Sequence, residues 1–453
     1  MLCQRTSTAS TSVRPGMRLR SKESSVQVGV VGLGEVGLKF AALAAESGMQ
    51  VLGVDTAPAR RRIATHGLRA AGYEFDIPGL LVGEAPEPSD VHVICVDSPI
   101  DSATKKTRLD NLLLAARTVG AVLRPGDLVI MRSTVPVGTT RAGVIPVLQE
   151  ASGLSGGDFL IAFAPERTST GGTLTESRTI RHLVGGLESR STQRAVDVMT
   201  QAGMPCQAAE SIEAAELGKL ATNAVRDINQ ALANQLCQIA EMHGIDIRRL
   251  VDDVNLDYPR DRLKHASPGV GGSCLTKDSY ILAESLLPVP PQDTLFGRAR
   301  IVNDQAQEPT ISSLARHFSR HAAAEVRILV CGAAFKGSPP TTDMRNSVGL
   351  HVARELVNLG FDVSVYDPVV PASDITGIGY RHSSLPGDDA WNAVLLYSNH
   401  ASLSSARLSQ QIVDSISHDG FIYDPHLWLT DLVVRDAAPG TRYRTLSTER
   451  VID

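Results

Sequence analysis

Cysteine is sparse in this 453-residue chain and never closely paired. The six cysteines are scattered without a single Cys-x-x-Cys spacing. That fits a reducing compartment and argues against a zinc site or a disulfide framework, so no metal is expected. Long apolar runs are also missing, and no stretch suffices to span a membrane as a hydrophobic helix. There is no excess of basic charge: the net charge is −5, which gives no support for nucleic-acid binding. Residues 1–25 are rich in Ser, Thr and Arg and lack an apolar segment, which argues against a secretory leader and reads as a disordered extension. That segment has no acid before Glu23, a faint likeness to a transit peptide. An over-extended start, with Met17 as the initiator, is the preferred reading. The bulk composition, 43% hydrophobic and 21% charged, is that of an ordinary soluble, cytoplasmic protein. The length calls for two or three domains.

What is present begins with a strand-like run, Val26–Gly32, that ends in Gly32-Leu33-Gly34-Glu35-Val36-Gly37. A helical pattern follows, then a strand pattern over Gln50–Val54 closed by Asp55. Strand, glycine turn, helix, strand and acid in that order form a dinucleotide-binding fingerprint. Gly32 permits the tight turn, Gly34 admits the pyrophosphate, and Gly37 lets helix pack on strand. Asp55 accepts from ribose hydroxyls and disfavours a 2′-phosphate, which points to NAD; Arg60, Arg61 and Arg62 pull the other way. Further strand patterns at Val91–Val96, Leu128–Met131 and Phe159–Ala162 predict an α/β, doubly wound parallel sheet. Its strand ends carry Ser98, Ser133-Thr134 and Pro165-Glu166-Arg167, where ligand-facing polar groups belong.

Cys274 sits in Pro268-Gly-Val-Gly-Gly-Ser-Cys-Leu-Thr-Lys277-Asp278. Glycines permit close backbone approach, and the apolar stretch from Tyr280 to Leu287 reads as a helix, with the thiol near its N-terminus. Free N–H groups there favour a thiolate, which suits a nucleophile. A buried structural cysteine in a glycine-rich turn is the competing reading of these residues.

From Glu213 to His243 there is no proline and one internal glycine. Leu217, Leu220, Ala221, Ala224, Ile228, Ala231 and Leu232 form an apolar stripe. Glu216, Lys219, Asn223 and Asp227 lie on a neighbouring face, for which a solvated charge row is the ordinary reading. A helix of roughly 30 residues exceeds the usual length and suggests a connector at a dimer interface. Residues 325–453 repeat the strand, turn, helix, strand, Asp plan, with the last acid at Asp367, but without the second and third fingerprint glycines. Asp343, Asn346 and Ser347 precede its helix and are available for capping.

These motifs, taken together, resemble the nucleotide-sugar 6-dehydrogenases: UDP-glucose, GDP-mannose and UDP-N-acetylmannosamine (or -glucosamine) dehydrogenases. The likeness runs from about residue 26 to 430. It is carried by the glycine turn, Ser133–Thr140, Pro165-Glu166-Arg167, Lys219 and Asn223 on the long helix, the Cys274 run, Ala334-Phe335-Lys336 and Asp343-Met344-Arg345. It implies two Rossmann-like domains joined by a long central helix: an NAD-binding domain over 26–212, a central helical dimerisation region over 213–310 and a UDP-sugar-binding domain over 311–453.

The resemblance also implies a four-electron oxidation of a sugar CH2OH to a carboxylate, consuming two NAD, with thiohemiacetal and thioester intermediates on Cys274. Lys219 and Asn223 would stabilise the oxyanions. Asp278, Thr134 and Glu166 would orient water and move protons, Asp278 alternatively fixing Lys219. Asp55, Arg60, Ser98, Thr134 and Arg345 match cofactor positions, along with Gly32, Gly34, Val36 and Gly37. Glu166, Arg167, Gly271, Phe335 and Lys336 match substrate contacts, and Arg260 matches an arginine reaching in from a neighbouring subunit of a homodimer or larger homo-oligomer.

The chain departs from the family pattern at Asp97 in Val96-Asp97-Ser98-Pro99, at Arg132 where many relatives carry Glu, and at Asn234-Gln235 in place of Asn-Glu. Ser273 and Lys277 look like UDP-glucose enzymes, whereas Tyr258-Pro259-Arg260 and Pro165-Glu166-Arg167 look like N-acetylhexosamine enzymes. The expected substrate is a UDP-N-acetylhexosamine, mannosamine first, with UDP-glucose as the alternative. A two-electron hydroxyacid-type dehydrogenase, or a nucleotide-sugar-binding protein without activity, are the readings from other classes.

Overall fold

The computed structural model describes residues 25–68, 75–168, 174–384 and 390–452. The expected disordered extension therefore lies, but for its last residue, outside the described residues. A first sheet holds β1 (Gln27–Val31), β2 (Gln50–Val54), β3 (Leu81–Gly83), β4 (Val91–Ile94), β5 (Leu128–Met131), β6 (Leu160–Phe163), β7 (His182–Gly186) and β8 (Cys206–Ala208). Their order is β3-β2-β1-β4-β5-β6-β7-β8. The first six strands are parallel, and β7 turns antiparallel against β6. The chain reverses direction across the sheet between β1 and β4, the place where such sheets bind ligands.

A second sheet holds β9 (Arg327–Cys331), β10 (Asp362–Tyr366), β11 (Arg381–His382), β12 (Trp391–Leu396), β13 (Ile416–Tyr423), β14 (Arg442–Arg444) and β15 (Glu449–Val451). The order β11-β10-β9-β12-β13-β14-β15 repeats the first plan. Here only β15 is antiparallel. Both sheets are thus parallel at the centre, as expected, with reversed strands late in each: β7 and β8 in the first and β15 in the second.

The fingerprint turn shows why its glycines are there. Gly32 has φ +97°, and a Cβ on Gly37 would lie 1.9 Å from the Gly32 carbonyl oxygen. Asp55 closes the turn by accepting from the Leu33 N–H at 2.9 Å. In the following helix, Glu35–Glu46, every residue from Gly37 to Ala44 is buried, each large apolar side chain contributing about 1.5–3 kcal/mol. The second unit copies the turn. Gly332 has φ +129°, Asp367 accepts from Ala333 and Ala334 at 2.9 Å, and a Cβ on Gly349 would lie 2.1 Å from the Gly332 carbonyl oxygen. Gly349 therefore does the work of the third fingerprint glycine, which had been expected to be missing. A longer loop, 333–348, displaces it in sequence.

Between the sheets runs the central helix, Ile212–Met242, 31 residues long, with Ser211 accepting from the Ala214 N–H at its start. It packs against the helices Leu275–Glu284 and Leu295–Asp304. Its polar row is turned inward, against the ordinary expectation, and part of the apolar stripe is turned outward. The polar row is buried, with Glu216 at 1%, Lys219 at 9%, Asn223 at 8% and Asp227 at 0% exposure, whereas Leu217 and Leu232 are exposed. Leu220, Ala224 and Ala231 are buried as expected. The row is stable inside because each member has a partner: Glu216 accepts from the Gly138 and Thr140 N–H groups at 2.6 and 3.0 Å, and the other three are partnered at the site.

Candidate active site

A cavity of about 960 Å³ opens at the β1–β4 reversal and reaches the cysteine loop. Its wall includes Gly32, Gly34, Val36, Asp55, Arg60, Ser98, Thr134, Glu166, Lys219, Cys274, Asp278 and Arg345. The first unit, the central helix, the cysteine loop and the second unit thus contribute to one space.

The helix predicted near Cys274 begins earlier than the apolar stretch suggested, at Leu275, which makes Cys274 its N-cap residue. The thiol is exposed, and its carbonyl accepts from the Asp278 N–H at 2.9 Å. Asp278 is one turn along that helix and 1% exposed. Its Oδ2 lies 3.6 Å from Lys219 Nζ and accepts from Asn223 Nδ2 at 2.6 Å. Asp278 is therefore ion-paired with Lys219 and hydrogen-bonded to Asn223; Lys219, Asp278 and Cys274 share the cavity wall, with Asn223 behind it.

The glycines before Cys274 accommodate protein rather than an open ligand space. A Cβ on Gly271 would sit 2.5 Å from the Asn346 carbonyl oxygen, and one on Gly272 would sit 2.8 Å from the Phe335 ring. Asn346 also donates to Thr276 at 2.8 Å. The second unit's expanded turn is thereby pressed onto the thiol loop. Lys336 lies 5.5 Å from the Phe335 ring centre, and burial pushes its ammonium below the ordinary lysine value.

Arg167 and Arg260 lie outside the cavity wall, whereas Ser98 and Arg345 line it while bonded within the protein. Arg167 donates to the Arg181 carbonyl at 2.8 Å. Arg260 is exposed, with its guanidinium 5.3 Å from the Tyr258 ring centre. Ser98 donates to the Thr134 carbonyl, tying two strand ends together. Arg345 forks onto Asp343 at 2.7 and 2.9 Å.

Three ion pairs escaped sequence reasoning. Arg300, fully buried, pairs with Asp227 at 2.8 Å and donates to the Val270 carbonyl at 3.0 Å. It holds the thiol loop from behind, with Ser279 and Asn303 also donating to Asp227. The only hint in the sequence was Asp227, in register with the polar row. Lys277 meets Asp97 at 2.5 Å, which neutralises the unexpected carboxylate at the β4 end. Arg132 meets Glu166 at 2.7 Å.

The residues fit a dinucleotide. Gly34 has open space where a Cβ would be, and the helix after it starts without a side-chain cap, so its N–H groups are available to a pyrophosphate. Asp55 lines the adjacent wall. Arg61 is engaged with the Asp55 and Thr56 carbonyls and with Glu84, which leaves that cation turned away from a 2′-phosphate.

Family models match three successive stretches: the NAD binding domain of the UDP-glucose/GDP-mannose dehydrogenase family over 80–202, its central domain over 213–305 and its UDP binding domain over 329–426. The chain belongs to the UDP-glucose/GDP-mannose dehydrogenase family. It is an NAD-dependent UDP-sugar dehydrogenase. A UDP-N-acetyl-D-mannosamine dehydrogenase of Methanococcus aeolicus is 28% identical over 361 residues, 77% of this chain and 80% of that protein. An NDP-N-acetyl-D-galactosaminuronic acid dehydrogenase of Ralstonia solanacearum is 30% identical over 417 residues, 85% of this chain and 94% of the relative. Among solved structures, a UDP-D-ManNAc dehydrogenase from Pyrococcus horikoshii superposes with a TM-score of 0.78 at 27% identity, covering 93% of this chain and 99% of that one. Among the described residues no helix is long and apolar enough to cross a membrane.

Proposed function

We propose that this dehydrogenase oxidises the C6 hydroxymethyl of a UDP-N-acetylhexosamine, UDP-N-acetylmannosamine first, to the uronic acid through covalent intermediates on Cys274. The observation that carries this reading is the placing of an exposed thiol at a helix N-cap, in the same cavity wall as the Lys219–Asp278 pair. The kinship with N-acetylated UDP-sugar enzymes supports the choice of sugar. Ser273 and Lys277 keep UDP-glucose as the alternative.

Bound NAD supplies the oxidant, taking two electrons and a proton as hydride at each of two oxidations. Gly32, Gly34 and Val36 with the helix N-terminus would hold its phosphates, Asp55 and Arg60 its ribose end, and Ser98, Thr134 and Arg345 the rest. The Cys274 thiolate adds to the C6 aldehyde, forming a C–S bond and an oxyanion. Lys219, steadied by Asp278, donates to that oxyanion, and Asn223 fixes Asp278. Oxidation of the adduct leaves a thioester. Asp278 and the Thr134 hydroxyl then orient the water whose attack breaks the C–S bond and returns the thiolate.

Phe335 and Lys336, together with Glu166, would receive the UDP-sugar, whereas Arg167 is spent on the Arg181 carbonyl and Gly271 faces the Asn346 carbonyl. The exposed apolar row Leu217, Val225, Leu232, Ile239 and Met242 on the central helix is the surface on which a second copy would pack, bringing Arg260 toward its neighbour.

The test is NADH formation with a panel of UDP-sugars and mass analysis of the product. Two NADH per acid and preference for an N-acetylated sugar are expected. One NADH per product, or unchanged turnover in Cys274→Ser, overturns the covalent route. Faster turnover of UDP-glucose than of UDP-N-acetylmannosamine overturns the sugar.

A further inference from the structure

Three successive arginines, Arg60, Arg61 and Arg62, are an unexplained feature of an NAD enzyme. They end the short helix Pro58–Arg62, just past the acid that closes β2, where an arginine ordinarily receives the 2′-phosphate of NADP. Arg60 lines the cavity, but Arg61 does not. Arg61 is drawn behind the wall instead. Its Nη1 donates to the Asp55 and Thr56 carbonyls at 2.8 and 3.1 Å, and its Nη2 donates to Glu84 Oε1. Arg62 is exposed and also lies outside the wall.

Glu84 owes its place to the sheet. β3 pairs with β2 so that Gly83 lies opposite Val54, and the Asp55 N–H donates to the Gly83 carbonyl at 3.3 Å. The next residue past each strand is therefore a carboxylate, Asp55 on one and Glu84 on the other, and both line the cavity. Asp55 also serves the fold: Oδ2 accepts from the Leu33 N–H at 2.9 Å and Oδ1 from the Ala57 N–H at 2.8 Å. Glu84, by contrast, has a side chain 77% exposed and meets Arg61 there. An ion pair so exposed adds little to stability, so the pairing calls for a role in binding.

We propose that Glu84 is a specificity-determining residue that selects NAD against NADP: it keeps Arg61 out of the cavity and sets a second negative charge beside Asp55 at the ribose end. A 2′-phosphate would meet two carboxylates and find the central arginine of the run already engaged. An unphosphorylated ribose, whose hydroxyls ask for acceptors, suits the same wall. Removing Glu84 reverses both effects. Nη2 of Arg61 loses its partner while Nη1 stays anchored on two carbonyls, which leaves a held guanidinium with a free edge. Such an edge suits phosphate oxygens. This selection acts at the cofactor end and is independent of which sugar is oxidised.

The experiment titrates NADH and NADPH, followed by their own fluorescence, into the wild-type enzyme, Glu84→Ala, Arg61→Met and the double variant Glu84→Ala/Arg61→Met. The wild type should bind NADH more tightly than NADPH. A hydrogen bond to a charged group is worth about ten- to a hundredfold in affinity, so Glu84→Ala should tighten NADPH about tenfold or more and leave NADH nearly unchanged. Arg61→Met alone should not tighten NADPH, and in the double variant most of the gain should vanish. Glu84 is a surface side chain, so its truncation leaves the fold intact. The ratio of kcat/KM for NADP over NAD should move in step with the binding ratio. Unchanged NADPH binding in Glu84→Ala overturns the proposal, as does a gain that survives whole in the double variant, or a wild type without preference for NADH. Absence of NADH binding to the wild type sinks the cofactor site and this inference with it, whereas sound NADH binding without the gain in NADPH sinks this inference alone.

Discussion

Arg300→Met is the sharpest test of the claim that the thiol loop is held from behind. The substitution leaves Asp227, 0% exposed, without its cation, frees the Val270 carbonyl and breaks the 2.9 Å contact of Arg300 with Asp304. A buried pair broken from one side loses about 3–5 kcal/mol. The orphaned carboxyl has one escape, which is to take a proton. At pH 7 that costs about 4 kcal/mol for an aspartate of ordinary value near 3.9, at about 1.4 kcal/mol per pH unit; at pH 5 it costs only about 1.5 kcal/mol. Burial already pushes Asp227 above its ordinary value with Arg300 beside it, so removing the cation pushes it further up. A carboxyl raised in the folded state binds protons more tightly there than in the unfolded chain. Stability is then lost as pH climbs from the unfolded value toward the folded one. The expected loss is about 3–5 kcal/mol at pH 7, shrinking at pH 5 toward the smaller protonation cost plus the bonds to Val270 and Asp304, at about 1 kcal/mol each. Urea melts followed by far-ultraviolet circular dichroism at both pH values measure it. An equal loss at the two pH values, or a loss below about 1 kcal/mol at pH 7, refutes the reasoning.

The fingerprint glycines should separate stability from binding. Gly37→Ala forces a Cβ to 1.9 Å from a carbonyl oxygen and should destabilise by at least the roughly 1–3 kcal/mol of ordinary overpacking, read as a lower melting temperature. Gly34→Ala meets nothing in the protein; its melting temperature should hold while NAD binding, followed by calorimetry, weakens. Lys219→Ala should lower kcat by about 10²–10³, and a change confined to KM would remove its oxyanion role. Leu232→Glu, in the middle of the exposed apolar row, should leave secondary structure intact and shift the sedimentation coefficient to that of a monomer; an unshifted boundary would relocate the interface.

What the chain made legible was local. The strand, glycine turn and acid are contiguous, so their geometry follows from neighbours in sequence. Periodicity also identified the row Glu216, Lys219, Asn223 and Asp227 as one face of a helix. It could not say which face turns inward, because that depends on Asp278, Ser279 and Arg300 arriving from other helices. A charge row with no visible partners reads as solvated; supplied with partners, it is buried. The Arg132–Glu166 pair stayed hidden for the same reason, its members lying on neighbouring strand ends that only the sheet brings together. Gly349 was missed because the fingerprint was read by spacing, and an expanded loop preserves the steric need while shifting the number.

That expanded loop carries a further consequence. In the first unit the turn is short and can do little more than face a phosphate. In the second, the same turn grows from 333 to 348 and extends as an arm: Pro340–Asp343 and Arg345 line the cavity, while Phe335 and Asn346 grip the glycines before Cys274. A molecule lodged in the cavity therefore touches both units at once, and its binding free energy enters the equilibrium for their docking. Each half then feels occupancy of the other: a ligand held mainly by the first unit should slow hydrogen exchange in the arm of the second, making the arm a gauge of whether the site is filled.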